Sequence, residues 1–153
     1  MNKTMKAVLI DRVTYAQEIK LQEVPVPEVK PGWVLVKVEA FGLNHSEQIL
    51  RLKEIEADYI QKPVIPGIEC AGTIADSSDS GLPSGQKVIA MMGGMGRSFN
   101  GSYARYCLLP VSHVFPVESD LDWAELAAVP ETYFTAWGSL FECLHLTCDD
   151  TKK

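Results

Sequence analysis

This sequence is poor in cysteine, in long apolar runs and in excess positive charge. Its four cysteines, Cys70, Cys107, Cys143 and Cys148, form no CxxC pair, and only the last two lie close together. That pattern predicts buried, reduced thiols in a cytosolic protein, with a redox or metal role for Cys143 and Cys148 as the alternative. Near the N-terminus only Ala7, Val8, Leu9 and Ile10 are consecutively apolar before Asp11. A secretory core needs about seven such residues, so a cytoplasmic location is expected. Fourteen Lys and Arg stand against twenty Asp and Glu, for a net charge of −6. An acidic chain argues against a nucleic-acid backbone or an anionic membrane as main partner, although a local phosphate site needs no net charge. What is present is ordinary globular material, 46% hydrophobic and 22% charged. A chain of this length buries roughly 70% of its unfolded surface, enough for a core without staples.

The patterning is mainly β. Residues 5–11 and 18–24 are apolar-rich runs around a polar break, as in a hairpin. Pro25, Pro27, Pro31 and Gly32 then impose a loop. Residues 33–41 alternate, with Val34, Val36, Val38 and Ala40 on one side, which predicts a strand. Residues 45–54 have helical spacing, with Ser46 as a candidate cap. Further strands are expected at 71–76, 87–92, 101–109 and 113–117. A polar connector at 77–85 and a mobile glycine stretch at 93–96 separate them. Short strands at this spacing suggest a barrel or sandwich. The character changes near residue 122. A short helix is expected over 122–129 and a longer one over 130–146, with an apolar stripe at Phe134, Trp137, Phe141 and Leu144. Residues 147–153 are polar.

Four motifs occur in order: Gly42-Leu43-Asn44-His45-Ser46-Glu47-Gln48-Ile49-Leu50-Arg51, Pro66-Gly67-Ile68-Glu69-Cys70-Ala71-Gly72, Gly101-Ser102-Tyr103-Ala104-Arg105-Tyr106, and Thr135-Ala136-Trp137. Together they resemble the medium-chain dehydrogenase/reductase superfamily over essentially the whole chain. The resemblance implies a GroES-like, partly open β-barrel with a short helix after the third strand and C-terminal helices. It divides the chain into a catalytic domain at 1–121 and a helical segment at 122–153 that leads towards a cofactor domain. Zinc-dependent members carry a cysteine where this chain has Asn44 and a histidine where it has Ile68. An amide is a poor zinc ligand and an isoleucine is none, so no zinc is expected. The zinc-independent quinone oxidoreductase-like branch has a pattern matched by Gly42, Asn44, Glu47 and Arg51, with Glu47 in place of aspartate. The chemistry is consistent, because a conjugated quinone or enone accepts hydride without the Lewis acid that an unactivated carbonyl needs.

The resemblance implies roles for individual residues. Asn44, Glu47 and Arg51 are the candidate catalytic residues. Asn44 and Thr135 are the candidate cofactor contacts, Asn44 towards the nicotinamide-side ribose or the substrate oxygen and Thr135 towards the carboxamide. A turn role for Asn44 and an intrahelical bond for the Thr135 hydroxyl are the plainer alternatives. Glu47 and Arg51, four apart on one helix face, suit a structural ion pair. His45 and Tyr103 are candidates for the substrate cleft, His45 also reading as a helix-start histidine and Tyr103 as a barrel packing residue. Glu69 is expected to hydrogen-bond structurally. Ile55 stands where some members carry a tyrosine.

These residues include no G-x-G-x-x-G run, so the Rossmann domain that the resemblance implies is not among them. The expected function is therefore the catalytic half of an NAD(P)H-dependent quinone or enone reductase, using NADPH or NADH and showing little turnover by itself. The expected partners are a small-molecule substrate and a second copy, held through the C-terminal helix. The alternatives are a GroES-like interaction module without catalysis, or a zinc alcohol dehydrogenase with unusual ligands.

Overall fold

A computed structural model describes residues 4–147 and residue 150. The predicted hairpin forms between β1 (Thr4–Val8) and β2 (Leu21–Pro25), antiparallel, with Met5 opposite Val24. β2 starts later than the apolar pattern suggests. A 3-10 turn at Ala16–Glu18 takes up the intervening residues, and the Tyr15 N–H donates to Glu18 Oε2 at 2.8 Å.

Five further strands form one antiparallel sheet in the order β6 (Tyr106–Pro110), β3 (Trp33–Ala40), β4 (Glu69–Asp76), β5 (Lys87–Met91) and β7 (Val114–Pro116). The strand predicted over 101–109 is split. Its first part is held irregularly: the Val8 N–H donates to the Tyr103 carbonyl at 2.8 Å, the Arg105 N–H to the Lys6 carbonyl at 3.1 Å, and the Val38 N–H to the Arg105 carbonyl at 3.0 Å. This segment stitches β1 to β3 and gives the GroES-like, partly open barrel. A close approach there depends on glycine. A Cβ at Gly72 would strike the Lys37 carbonyl of the neighbouring strand.

β4 and β5 are covered on both faces. Cys70, Ile74, Val88 and Ala90 join Val34, Val36, Met95, Cys107 and Leu109 in the barrel core, while Ala71 and Ile89 pack outward against Leu126 and Ala127. That second cover is α2 (Trp123–Ala127), whose N-cap Asp122 accepts from the Glu125 N–H at 2.8 Å. Of the cysteines, Cys70 and Cys107 are buried free thiols as expected, whereas Cys143 is exposed. Cys148 lies outside the described residues. Burial pushes the Cys70 thiol up to about 12 and the Cys107 thiol well above its usual range.

α1 (His45–Leu52) follows β3, as predicted, but its N-cap is Asn44, two residues before Ser46. Leu50 is fully buried against Ile10, Ile55, Ile60 and Val64. Removing such a side chain from water stabilises by roughly 2 kcal/mol. The glycine stretch at 93–96 is a packed turn, not an open one. The Gly94 carbonyl accepts from the N–H groups of Arg97, Ser98 and Phe99, and Met95 is buried in the barrel. The last helix is shorter than its pattern. α3 (Pro130–Trp137) continues into a π-helical turn at Gly138–Cys143. The stripe remains largely uncovered, with Trp137 59% and Leu144 65% exposed, and Phe134 lies 6.5 Å from Phe115 of β7.

Candidate functional site

The hairpin and α1 face each other across a cleft of about 370 Å³. The hairpin side supplies Val8, Ile10 and Ile19, and α1 supplies Asn44, Glu47, Gln48 and Arg51; Leu43, Pro66 and Tyr103 close it. Beside the cleft, the hairpin loop and the end of α1 are tied together. The Thr14 N–H donates to the Arg51 carbonyl at 3.0 Å, and Arg51 Nη1 returns a bond to the Thr14 carbonyl at 3.0 Å. The predicted Glu47–Arg51 ion pair is thus not formed. The guanidinium is used to tie the helix end to the hairpin loop, because Glu47 is turned inward.

Glu47 is only 5% exposed. Its Oε2 accepts from the Asn44 N–H at 2.7 Å and its Oε1 from the Ile68 N–H at 3.2 Å. The carboxylate therefore satisfies an N-terminal donor of α1 and one donor from the strand lead-in. Burial raises its pKa. The N–H groups of Asn44, Glu47 and Ile68 and the Arg97 charge oppose that shift without cancelling it. Tyr103 lies beside it, stacked on Phe41 at 4.6 Å. Burial raises the Tyr103 phenol, and the charge of Glu47 raises it further.

Asn44 is held from the other side. Its Nδ2 donates to Glu69 Oε1 at 2.8 Å, and Glu69 Oε2 accepts from the Glu131 N–H at the start of α3 at 2.7 Å. Glu69 is 2% exposed. The structural hydrogen-bonding role expected for it is what the structure shows. The network reaches Thr135, whose hydroxyl donates to Glu131 Oε1 at 3.2 Å. Asn44 and Thr135 thus belong to one hydrogen-bonded chain through Glu69 and Glu131. Thr135 itself is exposed and does not line the cleft.

Four of the sequence-predicted residues, Asn44, Glu47, Arg51 and Tyr103, therefore meet in one cleft. His45 does not; it is exposed at the first turn of α1, which favours the plainer reading of a helix-start histidine. Among the described residues no three His, Cys, Asp or Glu converge to hold a metal ion. At positions 44 and 68 the donor chemistry does not fit zinc. Asn44 gives its amide nitrogen to Glu69 and has only a neutral amide oxygen left, a poor zinc ligand, and the Ile68 side chain offers no ligand atom.

Two residues escaped the sequence reading. Glu131 lies in the first turn of α3, but its link to Glu69 joins positions 62 apart and leaves no local signal. Arg97, in the glycine turn, sends Nε and Nη2 to Glu54 Oε2 at 3.0 and 2.7 Å and Nη2 to Ser46 Oγ at 2.9 Å. It staples the turn to α1. Ser46 is thus an acceptor for that staple instead of a cap.

Comparison with known proteins places this geometry in a family. The family model of the alcohol dehydrogenase GroES-like domain matches residues 30–119. Quinone oxidoreductase of Homo sapiens is 31% identical over 152 residues, covering 95% of this chain and 43% of that protein. Synaptic vesicle membrane protein VAT-1 homolog-like of Mus musculus is 29% identical over 144 residues, covering 93% of this chain and 33% of that protein. The crystal structure of the human synaptic vesicle membrane protein VAT-1 homolog-like protein superposes with a TM-score of 0.82 at 28% identity, over 94% of this chain and 45% of that one. The chain spans between a third and a half of the length of these relatives. With the barrel topology, the motif order and a family match over most of its length all in agreement, the chain belongs to the alcohol dehydrogenase GroES-like domain family, in the medium-chain dehydrogenase/reductase superfamily of oxidoreductases.

Proposed function

We propose that this chain supplies the substrate-side wall of a zinc-independent, NAD(P)H-dependent reductase acting on a quinone or enone. The observation that carries the reading is the convergence of Asn44, Glu47, Arg51 and Tyr103 on a single cleft between α1 and the hairpin. Residues 1–121 form the catalytic side, and 122–153 lead towards the cofactor side.

The residues fit one end of a dinucleotide and not the other. Asn44 and Thr135, linked through Glu69 and Glu131, would hold the nicotinamide ribose and carboxamide. Among the described residues no α-helix start suits a pyrophosphate, because α1, α2 and α3 all carry a glutamate in the first turn. When bound, a reduced nicotinamide supplies hydride. The apolar lining of Val8, Ile10, Ile19 and Leu43 excludes water and accepts a planar conjugated ring. Asn44 orients the acceptor or the ribose by hydrogen bonding. Tyr103, whose phenol is held protonated by burial and by the Glu47 charge beside it, keeps a proton next to the substrate oxygen. Arg51 offsets the negative charge of the cleft. By itself the chain turns over little, because positioning the two reactants within about 3.5 Å needs both walls. The exposed aromatic stripe of the last helix favours self-association into a dimer.

The test is a titration of the isotope-labelled 153-residue chain with reduced nicotinamide mononucleotide and with duroquinone, a quinone with no free ring position for thiols. Shifts should gather at Asn44, Glu47, Arg51 and Tyr103. No shifts, or shifts confined to the outer face of the barrel, would overturn the reading.

A further inference from the structure

We infer that Glu69 is a positioning residue that fixes which way the Asn44 amide faces and locks that amide to the start of α3. The significance for binding rests on the function proposed above; the geometry does not.

The polarity follows from the partners. One oxygen of Glu69 accepts from the backbone N–H of Glu131, a group that can only donate. A carboxylate has no proton to give, so its other oxygen must also meet a donor. Asn44 can answer only with Nδ2, which lies 2.8 Å away. The two ends of an amide are near-isosteric, and nothing about the Asn44 side chain itself would choose between them. Glu69 makes the choice.

Glu69 has no freedom to do otherwise. It is 2% exposed, and no cation is paired with it among the described ion pairs. Its carboxyl sits where a Cβ on Gly42 would be, so the absent side chain at position 42 is what gives it room. At the far end it anchors the α3 N-terminus, the helix that carries Thr135. One buried carboxylate therefore sets both the facing of Asn44 and its spacing to Thr135.

The discriminating variant is Glu69→Gln, which keeps size and removes charge. Its carbonyl must still serve the Glu131 N–H, which leaves its NH2 facing Asn44. Asn44 must then turn its oxygen inward or lose the bond. In the native chain one Asn44 side-chain amide proton should be shifted downfield and protected from exchange. In E69Q that shift and protection should vanish, while the Glu131 backbone amide and the overall spectrum persist. Affinity for reduced nicotinamide mononucleotide should fall about tenfold, as expected for one misdirected hydrogen bond. Unchanged Asn44 side-chain signals in a folded E69Q would overturn the inference. If E69Q fails to fold, the double variant Asn44→Asp with Glu69→Gln restores a donor–acceptor pair of reversed polarity; recovered folding with the mononucleotide affinity still lost supports positioning, and recovered affinity overturns it. If the native chain does not bind the mononucleotide, the proposed function fails, and the Asn44 amide signal still decides the role of Glu69.

Discussion

Replacing Gly42 with alanine probes the centre of the site with one methyl group. Gly42 is outside the left-handed backbone region, so the substitution brings no conformational strain. Its cost is steric alone. The new Cβ would overlap Glu69 Oε1 and lie 2.9 Å from Glu69 Cδ. Glu69 cannot swing aside cheaply, because both its oxygens are bonded and the residue is buried. Overpacking of this kind costs about 1–3 kcal/mol. For a domain of this length that lowers the melting temperature by about 2–10 °C. Urea unfolding and a circular-dichroism melt at pH 7 would measure it. Glu69→Asp shortens the carboxylate and draws it away from the added methyl. The double variant should thus lose less than the sum of the single ones, with a coupling of about 1 kcal/mol. A G42A melt within about 1 °C of the parent, or strict additivity with E69D, would refute the placement of Glu69 against Gly42.

Three further outcomes are expected. Because the folded pKa of Glu47 is raised, the native state binds more protons than the unfolded state, and stability falls as pH rises from near the ordinary carboxylate value of 4.5 through the folded pKa. Glu47→Gln should remove that slope in urea titrations run across the window; parallel curves would contradict it. Arg97→Met frees Glu54 and Ser46 from the glycine turn, a partly solvated loss of about 1 kcal/mol in the urea midpoint analysis, whereas no loss would deny the staple. Iodoacetamide at pH 8 should modify Cys143 in the native chain within minutes and leave Cys70 and Cys107 untouched until unfolding, as peptide mapping would show.

The strands that alternate were legible in the sequence, and those buried on both faces were blurred. β3 shows its pattern because Val34 and Val36 face the core while Lys37 and Glu39 reach solvent. β4 begins two residues before the predicted start, since Glu69 and Cys70 are both buried and a glutamate does not announce a strand core. The region 101–109 reads as one strand from its apolar end at Cys107, Leu108 and Leu109, but only Tyr106 onward joins the sheet, and Gly101 instead lies close against the Pro66 and Gly67 carbonyls. The cleft residues were found by motif resemblance. Their partners were not, because Glu69 to Glu131 and Arg97 to Ser46 are contacts between distant segments.

Two buried carboxylates tie positions 44 and 68 to the starts of the helices. The starts of α1 and α3 each present a backbone donor to a buried carboxylate. Glu47 takes the Asn44 N–H at the start of α1, and Glu69 takes the Glu131 N–H at the start of α3. Glu47 then reaches back to the Ile68 N–H, and Glu69 reaches forward to the Asn44 amide. Residues 44, 47, 68 and 69 are thereby closed into one hydrogen-bonded unit. Desolvating two carboxylates is costly, and the N–H groups of two helix starts, with Arg97 nearby, are what offset it. A glutamine at 69 would keep the shape and the bond from the Glu131 N–H but would face Asn44 with a donor, so the loss of charge falls on the orientation of Asn44.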